Sequence, residues 1–522
     1  MDMDTNIKVY SNLNFVNNDD GQVKQITIYV KNGIIDEISD NPPENGVEFI
    51  DCNHAFLIPG FVDGHGHMTH LGKNQFEVDL SSCKSEEDAI DKIDEFYKQN
   101  KSLKCLLGGG WNQENWETKS LPNNKKLSLK FPDIPVIMTR VDAHAVWVNK
   151  KGIELAKIDT NTTPPDGGEI LIEDNHVTGI LVDKAQSLIR NIIPDETIED
   201  VKNWILEAQK ICLSQGITEI HDAGINDIQY KAYLSLVKED KLKIRVYAMA
   251  NQELFEKGVD ITNKNLFELR SVKLVSDGAL GSRGAALIEN YSDYDTNGIL
   301  ILDRNKLKNL LKKAFNQNFQ VCVHAIGDKA NRELINAVED VKESKSLPSD
   351  HRTRIEHAQI IKKTDLKRIF NNNIIASIQP VHCISDMYMA EDRLGSRTDD
   401  AYLWATLLQN KIKIMGGSDF PVEDCSPLIG IHAAVNRQKT NYLPVDGWNP
   451  KEKLNIKEAV NMFTKHTAYG SFKENIKGEV LEGYMADFTL IDQNIFSLDQ
   501  SKILNIKIMG TVVGGDLVYS TF

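Results

Sequence analysis

The sequence has no apolar stretch long enough to span a bilayer and no surplus of basic residues. Among its 522 residues, 60 are lysine or arginine and 75 are aspartate or glutamate, which gives a formal net charge of −15 at pH 7. Binding to a phosphate backbone requires basic patches, and a membrane span requires about 20 consecutive apolar residues. We therefore expect neither a nucleic-acid partner nor membrane insertion.

Cysteine is scarce, and its spacing forms no motif. The chain has seven cysteines and no Cys-x-x-Cys, which indicates reduced thiols. Residues 1–5 are acidic and polar, without the basic and apolar regions of a secretory signal. Both observations predict a cytoplasmic protein. Cys322 and Cys383 are expected to be core or wall residues.

A dinucleotide fingerprint is also missing, because no Gly-x-Gly-x-x-Gly follows the first predicted strand. The middle of the chain alternates strand-like and helix-like segments, which is typical of parallel strands with helical crossovers. The predicted strands are Cys105–Leu107, Val136–Met138, Gly216–Ile220, Ile244–Met249, Ser271–Val275, Gln320–Val323, Arg354–Glu356, Ile375–Ile378 and Ile412–Met415. The predicted helices include Glu86–Lys98, Ile198–Ser214, Arg304–Asn316, Lys329–Lys342 and Ile456–His466. The fold class is therefore α/β, with a closed barrel favoured over an open dinucleotide-binding sheet.

Both ends of the chain are rich in short strand signals. These signals are Ile7–Tyr10, Ile26–Val30 and Ile34–Ile38 near the start, and Ala486–Asp492, Ile506–Val513 and Leu517–Tyr519 near the end. We expect one small β domain built from residues 1–57 and 476–522, with the α/β domain over 58–475. A hairpin excursion is expected inside that domain at about residues 150–195.

The stretch Leu57–His67 carries the first candidate functional residues. The apolar residues at its start predict a buried strand, and the Asp, Gly and His residues that follow predict a polar end of that strand. His65 and His67 are two residues apart, so both rings point to one face of an extended strand. Neutral imidazoles suit zinc and its neighbours, and the flanking Gly64 and Gly66 leave room for a small bound object. An isolated His-x-His is equally compatible with two histidines that are only hydrogen-bonded near the surface. Whether it indicates a metal site therefore depends on whether the chain offers further ligands.

Further residues of metal-ligand type occur where predicted strands end. His324, His357 and Asp419 each follow a strand-like run, and Lys273 lies inside one, where an unpaired ammonium would be costly. In a parallel barrel the carboxyl ends of all strands converge on the face that carries the active site. The full set therefore predicts a metal site more strongly than any single histidine does.

In type and in order, these motifs resemble the amidohydrolase superfamily of metal-dependent hydrolases. More narrowly they are similar to its YtcJ-like subgroup (amidohydrolase family 3), which includes N-substituted formamide deformylase. The motifs that carry the resemblance are Pro59–His67, Gly109–Trp111, Arg140–His144, Val272–Gly278, Gly281–Arg283, His324–Asp328, Ile355–Ala358 and Gly417–Pro421. The resemblance covers nearly the whole chain. It implies a (β/α)8 TIM-like barrel with a small β-sandwich domain formed by both chain ends.

The resemblance also implies a role for each ligand. The implied metal ligands are His65, His67, Lys273, His324, His357 and Asp419. The histidines of the first strand and Asp419 would bind the more buried of one or two divalent ions, zinc being the expected metal, and the other two histidines would bind the second. Lys273 would be N6-carboxylated and bridge both ions, because a carbamate replaces a costly buried cation with an anionic ligand. The alternative for Lys273 is an ordinary salt bridge to Asp277 or to another carboxylate. Without carboxylation, the site would hold one metal ion.

The implied reaction is hydrolysis of a non-peptide carbon–nitrogen bond, in an amide or an N-substituted formamide, by a metal-activated water. Asp419 would be the general base and acid, taking a proton from the water and delivering it to the leaving nitrogen. The first alternative is cyclic-amide hydrolysis or deamination on the same scaffold, where deaminases usually use one metal and no carboxylated lysine. A more remote alternative is a non-catalytic barrel that serves as an assembly module, although such proteins typically lose ligands that this chain retains.

Substrate contacts are less defined by the sequence. The candidates are Trp111, His144, His221, Asp277 and Arg283. The tryptophan would wall the pocket, the histidines would hydrogen-bond the substrate, and Arg283 would bind a substrate carboxylate or, more simply, pair with Asp277. Weaker candidates without a defined role are His70, Asp328, Glu356, His382 and Arg393. The expected partners are a small-molecule substrate and a second copy of the chain.

Overall fold

The computed structural model describes residues 7–16 and 22–522. Residues 1–5, on which the expectation about a secretory signal rests, lie outside the described residues, together with residue 6 and residues 17–21. The chain divides into two compact units. The first unit comprises Met1–Met68 and Ala208–Phe522, and the second comprises Thr69–Glu207.

Eight parallel strands form the centre of the first unit. In spatial order, and numbered here as barrel strands one to eight, they are Phe61–Gly66, Ile217–Ile225, Arg245–Asn251, Phe267–Val275, Gln320–Ala325, Arg354–His357, Ile375–Ile378 and Ile414–Gly416. Each pairs in parallel with the next. Because spatial order follows chain order throughout, the barrel prediction is confirmed for its parallel α/β core.

The first and eighth barrel strands approach so closely that the sheet is nearly closed. A Cβ on Gly64 would lie 2.5 Å from the carbonyl oxygen of Gly416, and a Cβ on Gly66 would lie 2.3 Å from the ring of Phe420. These glycines therefore make room for the neighbouring strand and for an aromatic ring. The expectation that they make room for a bound object was wrong.

Helices follow the barrel strands along the chain. In the first unit they are Asp227–Lys238, Gln252–Glu256, Arg304–Asn316, Asp328–Glu343, Leu366–Asn371, Pro380–Leu394, Trp404–Gln409, Pro427–Asn436, Ile456–Met462 and Lys465–Gly470, while Met68–Lys73 and Ile198–Ser214 cross the unit boundaries. Side chains at the helix starts cap free amides. Asp303, for example, accepts hydrogen bonds from the amides of Asn305 and Lys306 in the first turn of Arg304–Asn316, whose Leu307 and Leu311 are buried one turn apart. Among the described residues, no helix has both the length and the apolar character needed to cross a membrane.

The two chain ends share one sheet of eight strands. Its spatial order is Asp516–Ser520, Ile508–Val513, Phe488–Ile491, Phe56–Pro59, Ile7–Val16, Val23–Lys31 and Ile34–Ser39, with Ile50–Asp51 paired to the fifth of these. Buried apolar residues from both ends, such as Tyr10 and Phe488, form its core. The described strands of both ends therefore form a single hydrogen-bonded sheet, and the β-sandwich domain stays a prediction.

The second unit is built on a sheet of its own. The strands, in spatial order, are Gly168–Glu173, His176–Asp183, Ala145–Val148, Val136–Arg140, Leu106–Trp111 and Val78–Asp79, and the helices are Glu86–Gln99, Asn124–Lys130 and Lys150–Leu155. The predicted hairpin is present as the antiparallel pair of the first two strands. The strands predicted near Cys105 and Val136 belong to this sheet and not to the barrel, which corrects the expectation that they continue the barrel alternation.

Candidate metal centre

The first barrel strand presents its two histidines at the carboxyl end of the sheet. His65 is fully buried, and the side chain of His67 is 27% exposed. The buried Asp63 holds this end in place, because its Oδ1 accepts hydrogen bonds from the amides of His65 and Ser418, at 3.0 and 3.1 Å. Asp63 thereby links the first barrel strand to the segment that follows the eighth.

Asp419 follows the eighth barrel strand and faces both histidines. Its Oδ1 lies 3.0 Å from His67 Nε2 and 3.5 Å from His65 Nε2. Its backbone has a φ of 63°, a left-handed conformation that is uncommon outside glycine and concentrates at functional sites. A hydrogen bond of 2.7 Å from the Asp419 amide to the His65 carbonyl fixes that conformation.

Protonation states at this end of the barrel favour cation binding. Burial, followed by the nearby Lys273, lowers the pKa of His65 to about 4 and that of His324 to about 3. Burial would raise the pKa of Asp419, but His65 and a hydrogen bond from His67 hold it well below its usual value. Neutral imidazoles and an ionised carboxylate are the forms that coordinate metals.

Lys273, on the fourth barrel strand, points into the same space. Its Nζ lies 3.0 Å from His65 Nε2, and the residue is 8% exposed. Burial lowers the pKa of this ammonium. The alternative salt bridge from Lys273 to Asp277 does not form, because Asp277 accepts hydrogen bonds from the amides of Ala286, Ile326 and Gly327.

His324 and His357 complete the predicted set. The ring centroids of these two histidines are 4.4 Å apart, and those of His65 and His357 are 5.0 Å apart. His357 Nδ1 donates to Gln379 Oε1 at 2.7 Å, which leaves its Nε2 lone pair available. His357 also has a left-handed φ of 77°. The structure thus brings all six predicted ligands to one place, while their roles as ligands stay predictions.

A chain of charged side chains runs from His65 through the barrel interior. His65 Nδ1 donates to Glu356 Oε2 at 2.5 Å, and Glu356 Oε1 forms a 2.7 Å ion pair with Arg354 Nε. Arg354 Nη1 donates to His221 Nδ1 at 3.0 Å, and His221 Nε2 lies 3.3 Å from Glu219. Because the Nδ1–H of His65 donates to Glu356, the proton sits on Nδ1, and the Nε2 lone pair faces Asp419 and is available to a cation.

Replacing Glu356 with glutamine is expected to weaken metal binding by about 10–100-fold, since partners that orient a ligating histidine have effects of this size. The amide keeps an acceptor for His65 Nδ1 but removes the charge that stabilises the neutral ring's orientation. Competition with a coloured chelator measures the dissociation constant.

The matched control for this measurement is Glu339→Gln, which neutralises a carboxylate paired with Arg368 in a partly exposed ion pair. Its metal affinity should equal that of the unchanged protein. An unchanged affinity in the Glu356 variant would contradict the positioning role.

His382 belongs to the cluster although the sequence gave it no defined role. It lies in the first turn of Pro380–Leu394, directly after the seventh barrel strand. The ligand atoms of His357, His382 and Asp419 lie within 4.8 Å of one another, as do those of His65, His67 and Asp419. One signal in the sequence could have indicated its role: His382 lies four residues after Ile378, which ends a predicted strand. The strand-end pattern gave His382 no defined role because the residue lies beyond the strand itself.

Three of the substrate candidates occupy other environments in the first unit. His221 is fully buried inside the barrel with both ring nitrogens engaged, as described above. Asp277 is also buried and binds backbone amides. Arg283 pairs with Asp293 at 2.7 Å, so the expectation of an Arg283–Asp277 pair was wrong. The loop after Arg283 supplies the carboxylate of Asp293, which lies outside the motif from which the pair with Asp277 was predicted.

The remaining substrate candidates lie in the second unit. Trp111 is fully buried in its core, where the indole donates to the Met138 carbonyl at 2.8 Å and packs near Trp116. His144 is exposed, and its Nδ1 lies 2.7 Å from Asp183, which raises its pKa. Their contacts with substrate stay predictions.

The donor set fits a divalent cation. Two groups of imidazole nitrogens and carboxylate oxygens have spacings that could hold an ion. Nε2 of His382 is buried and has no hydrogen-bond partner among the described residues, as expected for an atom whose partner is an ion. Histidine nitrogens with a carboxylate oxygen are donors that suit zinc.

Comparison with known proteins agrees with this arrangement. An amidohydrolase family model matches residues 48–519. The Bacillus subtilis (strain 168) protein YtcJ is 33% identical over 94% of this chain and 95% of its own length, and the N-substituted formamide deformylase of Arthrobacter pascens is 20% identical over 90% of each. The solved structure of an uncharacterized metal-dependent hydrolase from Pyrococcus horikoshii OT3 has a TM-score of 0.79 and 27% identity, and covers 95% of this chain and 99% of its own. The family resemblance predicted from the sequence is confirmed.

Proposed function

We propose that this chain, which belongs to the amidohydrolase family, hydrolyses the carbon–nitrogen bond of a small non-peptide amide, with N-substituted formamides as the first substrate class to test. Membership of the family makes it a hydrolase of carbon–nitrogen bonds other than peptide bonds. The observation that carries the proposal is Asp419, an ionised carboxylate that contacts His67 at 3.0 Å beside three further histidines. The formamide class comes from the name of one relative.

A divalent ion, zinc in our proposal, would be held by His65, His67 and Asp419, with His324 and His357 available to a second ion, and would supply Lewis acidity toward the substrate carbonyl. The chain's own contribution is geometric and electrostatic. Glu356 orients His65, Gln379 orients His357, and the hydrogen bond from the Asp419 amide to His65 fixes the carboxylate beside both rings.

Asp419 is the proposed general base and acid. Its pKa lies well below its usual value, so the carboxylate is ionised and able to accept a proton from the attacking water. The same oxygen then returns that proton to the leaving nitrogen, which departs as a neutral amine. Because the site is buried, the hydrogen bonds of Asp419 to the attacking water and to the leaving nitrogen are stronger than they would be in bulk water.

Lys273 is proposed to be N6-carboxylated. As an ammonium, its Nζ at 3.0 Å from His65 Nε2 would repel a cation from the lone pair that the ion needs. When the neutral amine attacks the carbon of carbon dioxide and loses one proton, the product is an anionic carbamate that attracts the ion instead. The depressed pKa of Lys273 favours the neutral amine.

A screen for amine release tests the proposed function. Zinc-loaded protein is incubated with N-substituted formamides, N-acylated amino acids and ureas, and in parallel with purines and cyclic amides. Released primary amine, released ammonia and ring opening are quantified. We expect release from at least one formamide, loss of release after chelation and recovery on adding zinc. Ammonia released from a purine, or opening of a cyclic amide, with no activity on linear amides would overturn this proposal in favour of the corresponding alternative.

A further inference from the structure

The two oxygens of Asp419 face different groups of histidines. Oδ1 lies 3.0 Å from His67 Nε2 and 3.5 Å from His65 Nε2. Oδ2 lies 3.7 Å from His382 Nε2. Oδ1 therefore faces the first cation position, while Oδ2 lies near His382 and stays available for proton transfer.

His382 has the features of a ligand and lacks those of a structural histidine. Its side chain is 14% exposed, and its Nε2 is buried with no hydrogen-bond partner among the described residues. By contrast, the buried His351 has both nitrogens occupied, with Nδ1 2.7 Å from Thr353 Oγ1 and Nε2 2.9 Å from the Asn372 carbonyl. Leaving a buried polar atom without a partner costs about 1–3 kcal/mol unless something else binds it.

The segment after the seventh barrel strand positions two of the donors. Gln379 accepts a hydrogen bond from Nδ1 of His357, so the Nε2 lone pair of His357 is available to a cation. Pro380 starts the helix, and His382 follows in its first turn with its ring nearly parallel to that of His357, at an interplanar angle of 19°. Ligand atoms of His357, His382 and Asp419 therefore lie within 4.8 Å of one another.

We propose that His382 is a direct ligand of the second divalent cation, which it binds together with His324 and His357. Three imidazole nitrogens suit zinc or cobalt and leave a position open for water or substrate. The inference rests on the proposed function only in that both require metal at this end of the barrel. It adds a ligand outside the six that the sequence predicted.

Cobalt titration of the chelator-treated full chain tests the proposal. Calorimetry and the visible absorption of bound cobalt report the number of sites, their affinities and their geometry without any substrate. For the unchanged protein we expect two sites. For His382→Ala we expect the first site unchanged and the second site weakened at least about 100-fold, because losing only the orienting partner of a ligand costs about 10–100-fold.

His382→Gln keeps a polar side chain and replaces the alanine variant if that variant fails to fold, as judged by its thermal unfolding. His176→Ala is the matched control, since it removes an exposed imidazole in the second unit. The proposal would be overturned if both His382 variants bound two cobalt ions with the affinities of the unchanged protein. It would also be overturned if variant and unchanged protein each bound one cobalt ion with the same affinity. Failure of every amide in the screen while the second site still depends on His382 would overturn the proposed function and leave this inference standing.

Discussion

Replacing Asp419 with asparagine is expected to lower the turnover number by about 10²–10⁴-fold, the usual contribution of a general acid or base. The amide has nearly the same shape but cannot accept the proton of the attacking water. His65 and His67 are unchanged in this variant and continue to present their nitrogens at the first cation position. The measurement is steady-state hydrolysis of the best amide from the screen, with metal content determined on the same preparation.

Asp424→Asn is the matched control for that experiment. Asp424 lies on the same loop, where its carboxylate caps the amide of Ser426 at 2.8 Å, and its substitution should leave turnover unchanged. Normal turnover by a metal-loaded Asp419 variant would contradict the assignment. A variant that is inactive only because it holds no metal would support the metal-binding role of Asp419 and leave its proton-transfer role without support.

Replacing Arg354 with methionine is expected to lower the free energy of unfolding by about 3–5 kcal/mol, the cost of breaking a buried ion pair by removing one partner. Arg354 is fully buried, pairs with Glu356, and donates to His221 and, at 2.6 Å, to the Gly64 carbonyl. One guanidinium therefore joins the first, second and sixth barrel strands. Methionine fills similar space but leaves the Glu356 carboxylate without its cationic partner.

Urea unfolding, followed by tryptophan fluorescence, measures this loss. Arg304→Met serves as the control, because Arg304 is half exposed and pairs with Asp340 on the surface. Such surface pairs contribute about 0–1 kcal/mol. If the Arg354 variant loses no more stability than the control, the charged chain is not a major support of the barrel.

Much of the fold was predictable because alternation of strands and helices is a local signal. Helices such as Arg304–Asn316 and strands such as Ile375–Ile378 match their predicted bounds. Which sheet a strand joins is a non-local property. This explains why two strands of the second unit were wrongly predicted to continue the barrel. Leu106–Trp111 and Val136–Arg140 have the same apolar texture as barrel strands, but they pair with each other in the second unit.

The candidate site was predictable to the extent that its residues end strands. His324, His357 and Asp419 could be found by that rule, because parallel strands deliver their carboxyl ends to one face. His382 escaped it because it lies one helical turn beyond its strand. Glu356 was a candidate without a defined role, and Arg354 was not a candidate. Their importance depends on partners in strands far away in the sequence, which no local pattern encodes.

The central claim is that the carboxyl ends of the barrel strands bind divalent metal. Crystals of the zinc-loaded protein, measured on both sides of the zinc absorption edge, test it most directly. We predict an anomalous peak about 2.0–2.2 Å from Nε2 of His65, Nε2 of His67 and Oδ1 of Asp419. A fully zinc-treated crystal with no anomalous peak among these three side chains would contradict the account.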